Sequence, residues 1–410
     1  MSVQFYHSHA KVSVSTISPQ PVVSSLNSPI TREHDDMRRL FVGLICVLLG
    51  VGVQMVHSAS LTLLPGQSET VFLGRHLVFL VISVACGYAA SFVPARILKA
   101  NAGNFCLVLI LLLVAVLIPG VGTRVNGAQR WLRLGGMSLQ PSELGRILLP
   151  IMAAKTLTEI RDTTGFSLKS IPRTFLPLIF ILPLVAKEPD LGATVFLALG
   201  FVIALFIGGW PMRYFIGIAL LALPAAVSLL ALKSYQMKRI SGFMAAWQDL
   251  SQAPWQIRQS LLSLGSGGLQ GTGVGGGWQK LSYLPEANTD FVFAVIGEEL
   301  GLAGTLGLIF VWIGVFLTGR AVMRPMQRGS FEWILGSTLV IQIVLQALAN
   351  VAVVTSMVPP KGVPHPFVSY GGTNLLVNTV AVGLIVGLSR SGTQRTLQMS
   401  NVGGPATHSN

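Results

Sequence analysis

Trp278–Gly304 reads WQKLSYLPEANTDFVFAVIGEELGLAG, and within it a polar segment turns into a long apolar one. Asp290 stands at the change, beside Phe291 and Phe293. The apolar run continues to about residue 318, enough to cross a hydrocarbon core that takes about 20 helical residues. The stretch therefore reads as the mouth of a membrane helix, where an ionisable residue is costly and marks a functional site by default. Glu298 and Glu299 follow about two helical turns deeper. They read either as further chemistry or as polar pins holding this span against its neighbours.

The rest of the chain agrees with a bilayer setting. Its 410 residues are 51% hydrophobic and 10% charged, against roughly one-quarter charged in soluble domains. We expect an all-α polytopic membrane protein. Other apolar runs lie near 40–60, 76–94, 104–119, 142–158, 174–188, 190–209, 214–232, 332–354 and 372–389, giving about ten transmembrane helices. A large extracytoplasmic loop, about 233–290, separates the seventh from the eighth. Residues 1–36, rich in Ser, Val, Pro and Thr without helical period, read as a disordered cytoplasmic tail, and 391–410 as a second cytoplasmic tail. The first apolar run starts near Leu40, too far in for a cleaved signal.

The net charge of +13 does not signal nucleic acid, because no basic cluster with interleaved aromatics sits on a soluble domain. Membrane orientation accounts for it. Arg96, Arg161, Arg173, Arg213, Arg320, Arg328 and Arg390 fall on one set of loops, fewer on the other, so the positive-inside rule puts both termini in the cytoplasm and Asp290 at the outer face. Cys46, Cys86 and Cys106 form no C-x-x-C pair, and the histidines have no metal-ligand spacing.

Four further polar stretches fall on that outer face. Asn126–Arg146, NGAQRWLRLGGMSLQPSELGR, offers Arg130 and Arg133 as a guanidinium pair able to clamp an anion such as phosphate. Its Glu143 is either a substrate ligand or an acid complementing the first helical turn. In KEPDLGA, Lys187–Ala193, Pro189 breaks an apolar run; Lys187, Glu188 and Asp190 are then turn residues or part of an outward polar cavity. LGSGGLQGTGVGGGWQ contains a formal G-x-G-x-x-G at Gly271, Gly273 and Gly276, but no strand precedes it, so no dinucleotide site is read. Its glycines permit tight turns and close approach to a substrate, or merely flexibility. PPKGVPHPFVSYGGTN, Pro359–Asn374, is a shaped loop that either packs at the interface or closes over a site.

These motifs occur together and in order in one family. RW…QPSE at Arg130–Glu143, PDLG at Pro189–Gly192, QSLLSLGSGGLQGTGVG at Gln259–Gly275, YLPEANTDFVFAVIGEELG and PPKGVPHPFVSYGG resemble the SEDS family of membrane glycosyltransferases (FtsW/RodA/SpoVE). The resemblance runs from about Arg38 to Ser391. QKLSYLPEA, IGEELG and Ser138 place it nearer the division-type than the elongation-type branch. Two positions depart from the family pattern: Asn288 where His is usual and Arg146 where Lys is usual.

The resemblance implies a lipid II polymerase with Asp290 as the general base; the rival readings are a lipid II flippase, an elongation-type polymerase and an inactive scaffold. Burial beside Phe291 and Phe293 would raise the Asp290 pKa toward a base's working range. Arg130, Arg133, Arg146 and Lys361 are the cations available to the pyrophosphate, and Glu143, Lys187, Asp190, Glu286 and Ser369 complete the expected substrate-binding set. A divalent cation, Mg²⁺ or Mn²⁺, could assist at the pyrophosphate, with oxygens from Glu143, Asp190 or Glu286. A class B penicillin-binding transpeptidase and other division proteins are the implied partners, and the inner membrane at the septum the implied location.

Overall fold

The computed structural model describes residues 29–59, 69–125, 127–134, 137–218, 220, 234–278 and 284–402. In order these form α1 (Pro29–Ala59), α2 (Glu69–Ala90), α3 (Ala95–Leu117), β1 (Gly122–Val125), β2 (Ala128–Leu134), β3 (Met137–Leu139) and α4 (Pro141–Thr163). There follow α5 (Ile171–Lys187), α6 (Leu191–Ile207), α7 (Ser234–Gln248), α8 (Trp255–Ser266), α9 (Val292–Met323), α10 (Phe331–Val354) and α11 (Gly372–Val402). A further helical run covers 212–218.

Among the described residues seven helices are long and apolar enough to cross a membrane, in α1, α2, α3, α5, α9, α10 and α11. α6 is apolar but shorter. α4 has the length of a span and carries Glu143, Arg146, Lys155, Glu159, Arg161 and Asp162, which lowers its hydropathy. Most of the expected run at 214–232 lies outside the described residues, as do residues 1–28 and 403–410.

Two expected boundaries move. α1 begins at Pro29, inside the segment taken as tail to residue 36. Asp35 meets Arg38 at 2.9 Å and Asp36 meets Arg39 at 3.8 Å, i,i+3 pairs that favour continuing the helix past its apolar run. His34 Nε2 also lies 3.0 Å from the Val322 carbonyl oxygen, tying this extension to α9. At the other end, helix continues beyond residue 390 to Val402.

The bundle is assembled pairwise: α2 on α11, α1 on α9, α3 on α4, and α4 on α6 and α10. α2 and α11 approach so closely that a Cβ on Gly383 would fall 1.9 Å from the Gly87 carbonyl oxygen, the small-residue packing that substitutes for a hydrophobic drive inside lipid. Val81, Leu111 and Phe310 point outward and exposed, as lipid-facing side chains do.

Between α3 and α4 the chain forms a small antiparallel sheet, order β1-β2-β3, where a loop was expected. Alternation explains the strand: Ala128 and Leu132 turn inward while Arg133 is exposed. The second irregularity is in α9. Gly301 has φ 65° and ψ −160°, a conformation essentially restricted to glycine, and it splits the helix into a short first half beginning two residues after Asp290 and a long second half.

The glycine-rich segment after α8 repairs that break. Thr272 and Gly273 donate their backbone N–H groups to the freed carbonyls of Glu298 and Glu299, and Leu302 and Ala303 donate to Gly268 and Leu269, at 2.9–3.2 Å. Its glycines thus serve close approach to a helix backbone. Glu298 accepts from the Trp278 N–H at 2.6 Å, and Glu299 accepts from Ser58 of α1 at 2.6 and 2.7 Å. Both acids pin the span, the second of the two readings they had in the sequence.

Candidate active site

Asp290 sits in the turn before α9, half-buried, at the end of the bundle where α3, α5 and α10 finish and α4, α6 and α11 begin. Glu286 adopts a left-handed φ of 56° and its carbonyl accepts from the N–H groups of Thr289 and Phe291, so the chain doubles back and presents Asp290 beside it. Burial first and the nearby Glu286 second push the Asp290 carboxyl up to about 7, with Arg130 opposing. Phe291 and Phe293 are buried beneath it.

The Pro359–Asn374 loop closes against this turn. A Cβ on Gly362 would lie 2.7 Å from Asp290 Oδ2, so only glycine admits the carboxylate there. The loop is then carried deep into the bundle: His365, Phe367 and Val368 are fully buried, and Phe367 stacks on Trp312. The Trp312 indole N–H donates to His365 Nε2 at 2.9 Å, and burial pushes the imidazole down to about 3, which keeps it neutral. Non-helical backbone at this depth is tolerated because protein surrounds it.

A second polar group faces Asp290 from the sheet and α6. Arg130 pairs with Asp190 Oδ2 at 3.1 Å, and Gln140 donates to the same oxygen at 3.2 Å. Asp190 Oδ1 caps α6 through the Ala193 N–H at 2.9 Å, so this acid organises the site as much as it lines it. A Cβ on Gly192 would fall 2.8 Å from Asp190 Oδ1 and 3.0 Å from Lys361 Cε, which places the Lys361 stem over the same group. Glu188 is 0% exposed and neither carboxylate oxygen has a hydrogen-bond partner; burial and the neighbouring Asp190 push it up to about 8.

Glu143, half-buried in the first turn of α4, has one oxygen buried without a partner and lies within electrostatic reach of Arg146, Asp190, Arg130 and Asp290. One turn deeper, Arg146 donates to Asn374, Gln346 and Asn378, a buried amide network between α4, α10 and α11.

Four expected residues fall elsewhere. Arg133 is exposed and, three residues from Arg130 on one strand, projects from the opposite face, so the two do not form a clamp. Lys187 is exposed at the last turn of α5, while Glu188 turns inward. Ser369 is buried and acts as a clasp: it donates to the Thr289 carbonyl at 2.5 Å and accepts from the His365 N–H at 2.8 Å. Arg146 is committed to its amides. Arg130, Glu143, Asp190, Glu286, Asp290 and Lys361 remain as one neighbourhood.

Among the described residues no three His, Cys, Asp or Glu side chains are grouped to hold a metal ion. Asp190, the central oxygen donor of the expected set, is already taken by Arg130, Gln140 and the α6 N-terminus. The residues therefore do not fit a cage for a divalent cation.

Comparison with known proteins then decides the family. A family model described as "Cell cycle protein", FtsW/RodA/SpoVE, matches residues 38–394. The chain belongs to the FtsW/RodA/SpoVE family. It is 37% identical over 355 residues to a probable peptidoglycan glycosyltransferase FtsW of Trichlorobacter lovleyi, covering 84% of this chain and 91% of that one. A solved chain from a peptidoglycan synthase complex that coordinates polymerization and crosslinking is 25% identical, with a TM-score of 0.69 over 86% of this chain and 97% of that one. The rod shape determining protein RodA of Thermus thermophilus is also 25% identical, with a TM-score of 0.62 over 86% and 96%. As a member of this family the protein is a multi-pass, mostly helical membrane protein.

Sequence reading missed the polar file on one face of α10. Thr338, Gln342, Gln346 and Asn350 recur every four residues and are all buried. Gln346 donates to the Pro364 carbonyl and to Asn374, and Asn350 to the Asp290 and Val363 carbonyls. The spacing of amides within an apolar run was the available signal.

Proposed function

We propose that this FtsW/RodA/SpoVE protein polymerises lipid II into glycan strands at the outer face of the cytoplasmic membrane, in septal synthesis, with Asp290 as general base. Peptidoglycan glycosyltransferase is the enzyme class its relatives bear. The observation that carries the assignment of the base is Asp290 itself: a half-buried carboxyl held near 7, in a polar group containing Arg130 and Lys361, at one end of an apolar bundle. A base works best with a pKa near the operating pH.

The acceptor sugar hydroxyl gives its proton to an Asp290 carboxylate oxygen as its own oxygen attacks the donor anomeric carbon. The carbon–oxygen bond to the polyprenyl pyrophosphate breaks, and the leaving group departs with the bonding pair. A single displacement inverts the anomeric centre. Arg130 and Lys361 are the cations we assign to neutralising the pyrophosphate; Arg133 projects from the opposite face of its strand and Arg146 is bound into its amide network. A positioned base contributes about 10²- to 10⁴-fold, and the remainder comes from holding two lipid-linked sugars in line. A divalent cation would have to arrive on the pyrophosphate itself.

Similarity to a chain of a peptidoglycan synthase complex supports a crosslinking partner, and we assign a class B penicillin-binding transpeptidase to that role. The test is reconstituted polymerisation of lipid II by the purified protein with that partner. Wild type is expected to form polymer, and Asp290→Asn to lose about 10²- to 10⁴-fold in rate. Polymer from the Asn variant at wild-type rate would sink the base; lipid II movement across vesicles without polymer would favour a flippase.

A further inference from the structure

Asn350 lies in the last turn of α10, 0% exposed. Its amide nitrogen is 2.7 Å from the Asp290 carbonyl oxygen and 2.7 Å from the Val363 carbonyl oxygen. One NH₂ group carries two donors, and here each meets one of the two segments that form the site. Val363 follows Gly362, whose missing Cβ makes room for Asp290 Oδ2, and Lys361, whose stem lies over the Asp190 group. A single side chain on a rigid helix thus holds the backbone of Asp290 and that of the loop touching its carboxylate.

We propose that Asn350 is a positioning residue of this site, fixing how far the Asp290 carboxylate stands from the Lys361–Gly362 loop and so from the cation above Asp190. The proposal rests on the reading of Asp290 as the base. Other ties between the two segments lie to one side of the carboxylate: Ser369 to the Thr289 carbonyl and the Tyr370 N–H to the Asn288 carbonyl at 2.8 Å. They hold residues 288 and 289, whereas Asn350 holds Asp290 and the residue after Gly362. Leucine keeps the branched outline of asparagine, is somewhat larger and has no donor, so Asn350→Leu would set two buried carbonyls without partners against an apolar group and let the segments part. The chemistry needs a base placed to within a fraction of an ångström, and a displacement near 1 Å costs about 10²-fold.

The experiment uses two readouts on the full-length protein with its partner. With lipid II, Asn350→Leu is expected to lower kcat about 10- to 100-fold with KM within about twofold. Independently of substrate, labelling of Asp290 by a hydrophobic carbodiimide, followed by peptide mass spectrometry across pH, reports how the carboxyl is enclosed. Its midpoint is expected to fall by at least one pH unit in Asn350→Leu as water reaches Asp290. A purely structural role would lower the melting temperature and leave that midpoint where it was. If Asn350→Leu does not fold, Gly362→Ala pushes the same two segments apart by a methyl group and is expected to shift the midpoint and kcat alike. Unchanged kcat and midpoint in a folded Asn350→Leu variant overturn the proposal, and an inactive Asp290→Asn beside it leaves the base assignment standing. A shifted midpoint in a protein that makes no polymer upholds the positioning and removes the polymerase reading instead.

Discussion

At Asp290 the local environment resists the charge that catalysis requires. Its carboxyl titrates near 7, above the roughly 3.9 of an unfolded aspartate, so the fold binds the proton more tightly than the open chain does. Stability from that proton is fully present below about pH 4 and is lost as pH rises through about 7. Asp290→Asn, always neutral, is therefore expected to melt above wild type at pH 8 and level with it near pH 4, while polymerisation by wild type falls as pH drops below 7; equal melting at both pH values would refute the burial argument. The same sign holds for Glu188, held near 8 with both oxygens unpartnered: Glu188→Gln should raise the melting temperature at pH 9 and change it little at pH 4. Asp290 was legible in the sequence as a candidate because an acid at a membrane mouth stands out, while its role as base came from the family resemblance. Asn350 was not, because its meaning lies in two carbonyls 60 and 13 residues away. The Arg130 and Arg133 pair was misjudged because proximity in sequence was taken for a shared direction, which a strand denies to residues three apart.

At the level of elements, the broken helix α9 carries the site. Long apolar runs announced the spans, and seven of the expected runs coincide with described helices long and apolar enough to cross a membrane, but the Gly301 break is invisible to hydropathy since both halves are apolar. The glycine-rich segment was equally visible and equally ambiguous: its purpose appears only when Thr272, Gly273, Gly268 and Leu269 are seen to satisfy the four backbone groups that the break releases. Gly301→Ala tests the device. An alanine would carry the φ of 65° at a cost of about 1–3 kcal/mol, and its Cβ would fall 2.4 Å from the Gly271 nitrogen. The expected result is a lower melting temperature together with lost polymerisation, because the first half of α9 begins two residues after Asp290. Ser58→Ala, which removes the donor to Glu299 from α1, should cost about 1–3 kcal/mol and spare more of the activity.

For the molecule as a whole, the decisive quantity is which side of the membrane receives Asp290. The two ends differ in basic residues: Arg96, Lys169, Arg173, Arg213, Arg320, Arg324, Arg328 and Arg390 lie at the end away from Asp290, against Arg124, Arg130, Arg133, Lys187 and Lys361 in the short connections at the other. Basic residues in short loops stay on the cytoplasmic side, so we expect the polar group outside, the face that the proposed polymerisation requires. This follows from charge and helix direction, both legible in the sequence, and it can be measured in cells. In a background where Cys46, Cys86 and Cys106 are replaced, Trp278→Cys, at a position 70% exposed beside the α9 break, should react with a membrane-impermeant maleimide applied to intact spheroplasts. Arg328→Cys, exposed in the turn between α9 and α10, should react only after lysis. The reverse pattern would turn the bundle over, place Asp290 in the cytoplasm, and leave a polymerase of outward-facing lipid II without access to its substrate.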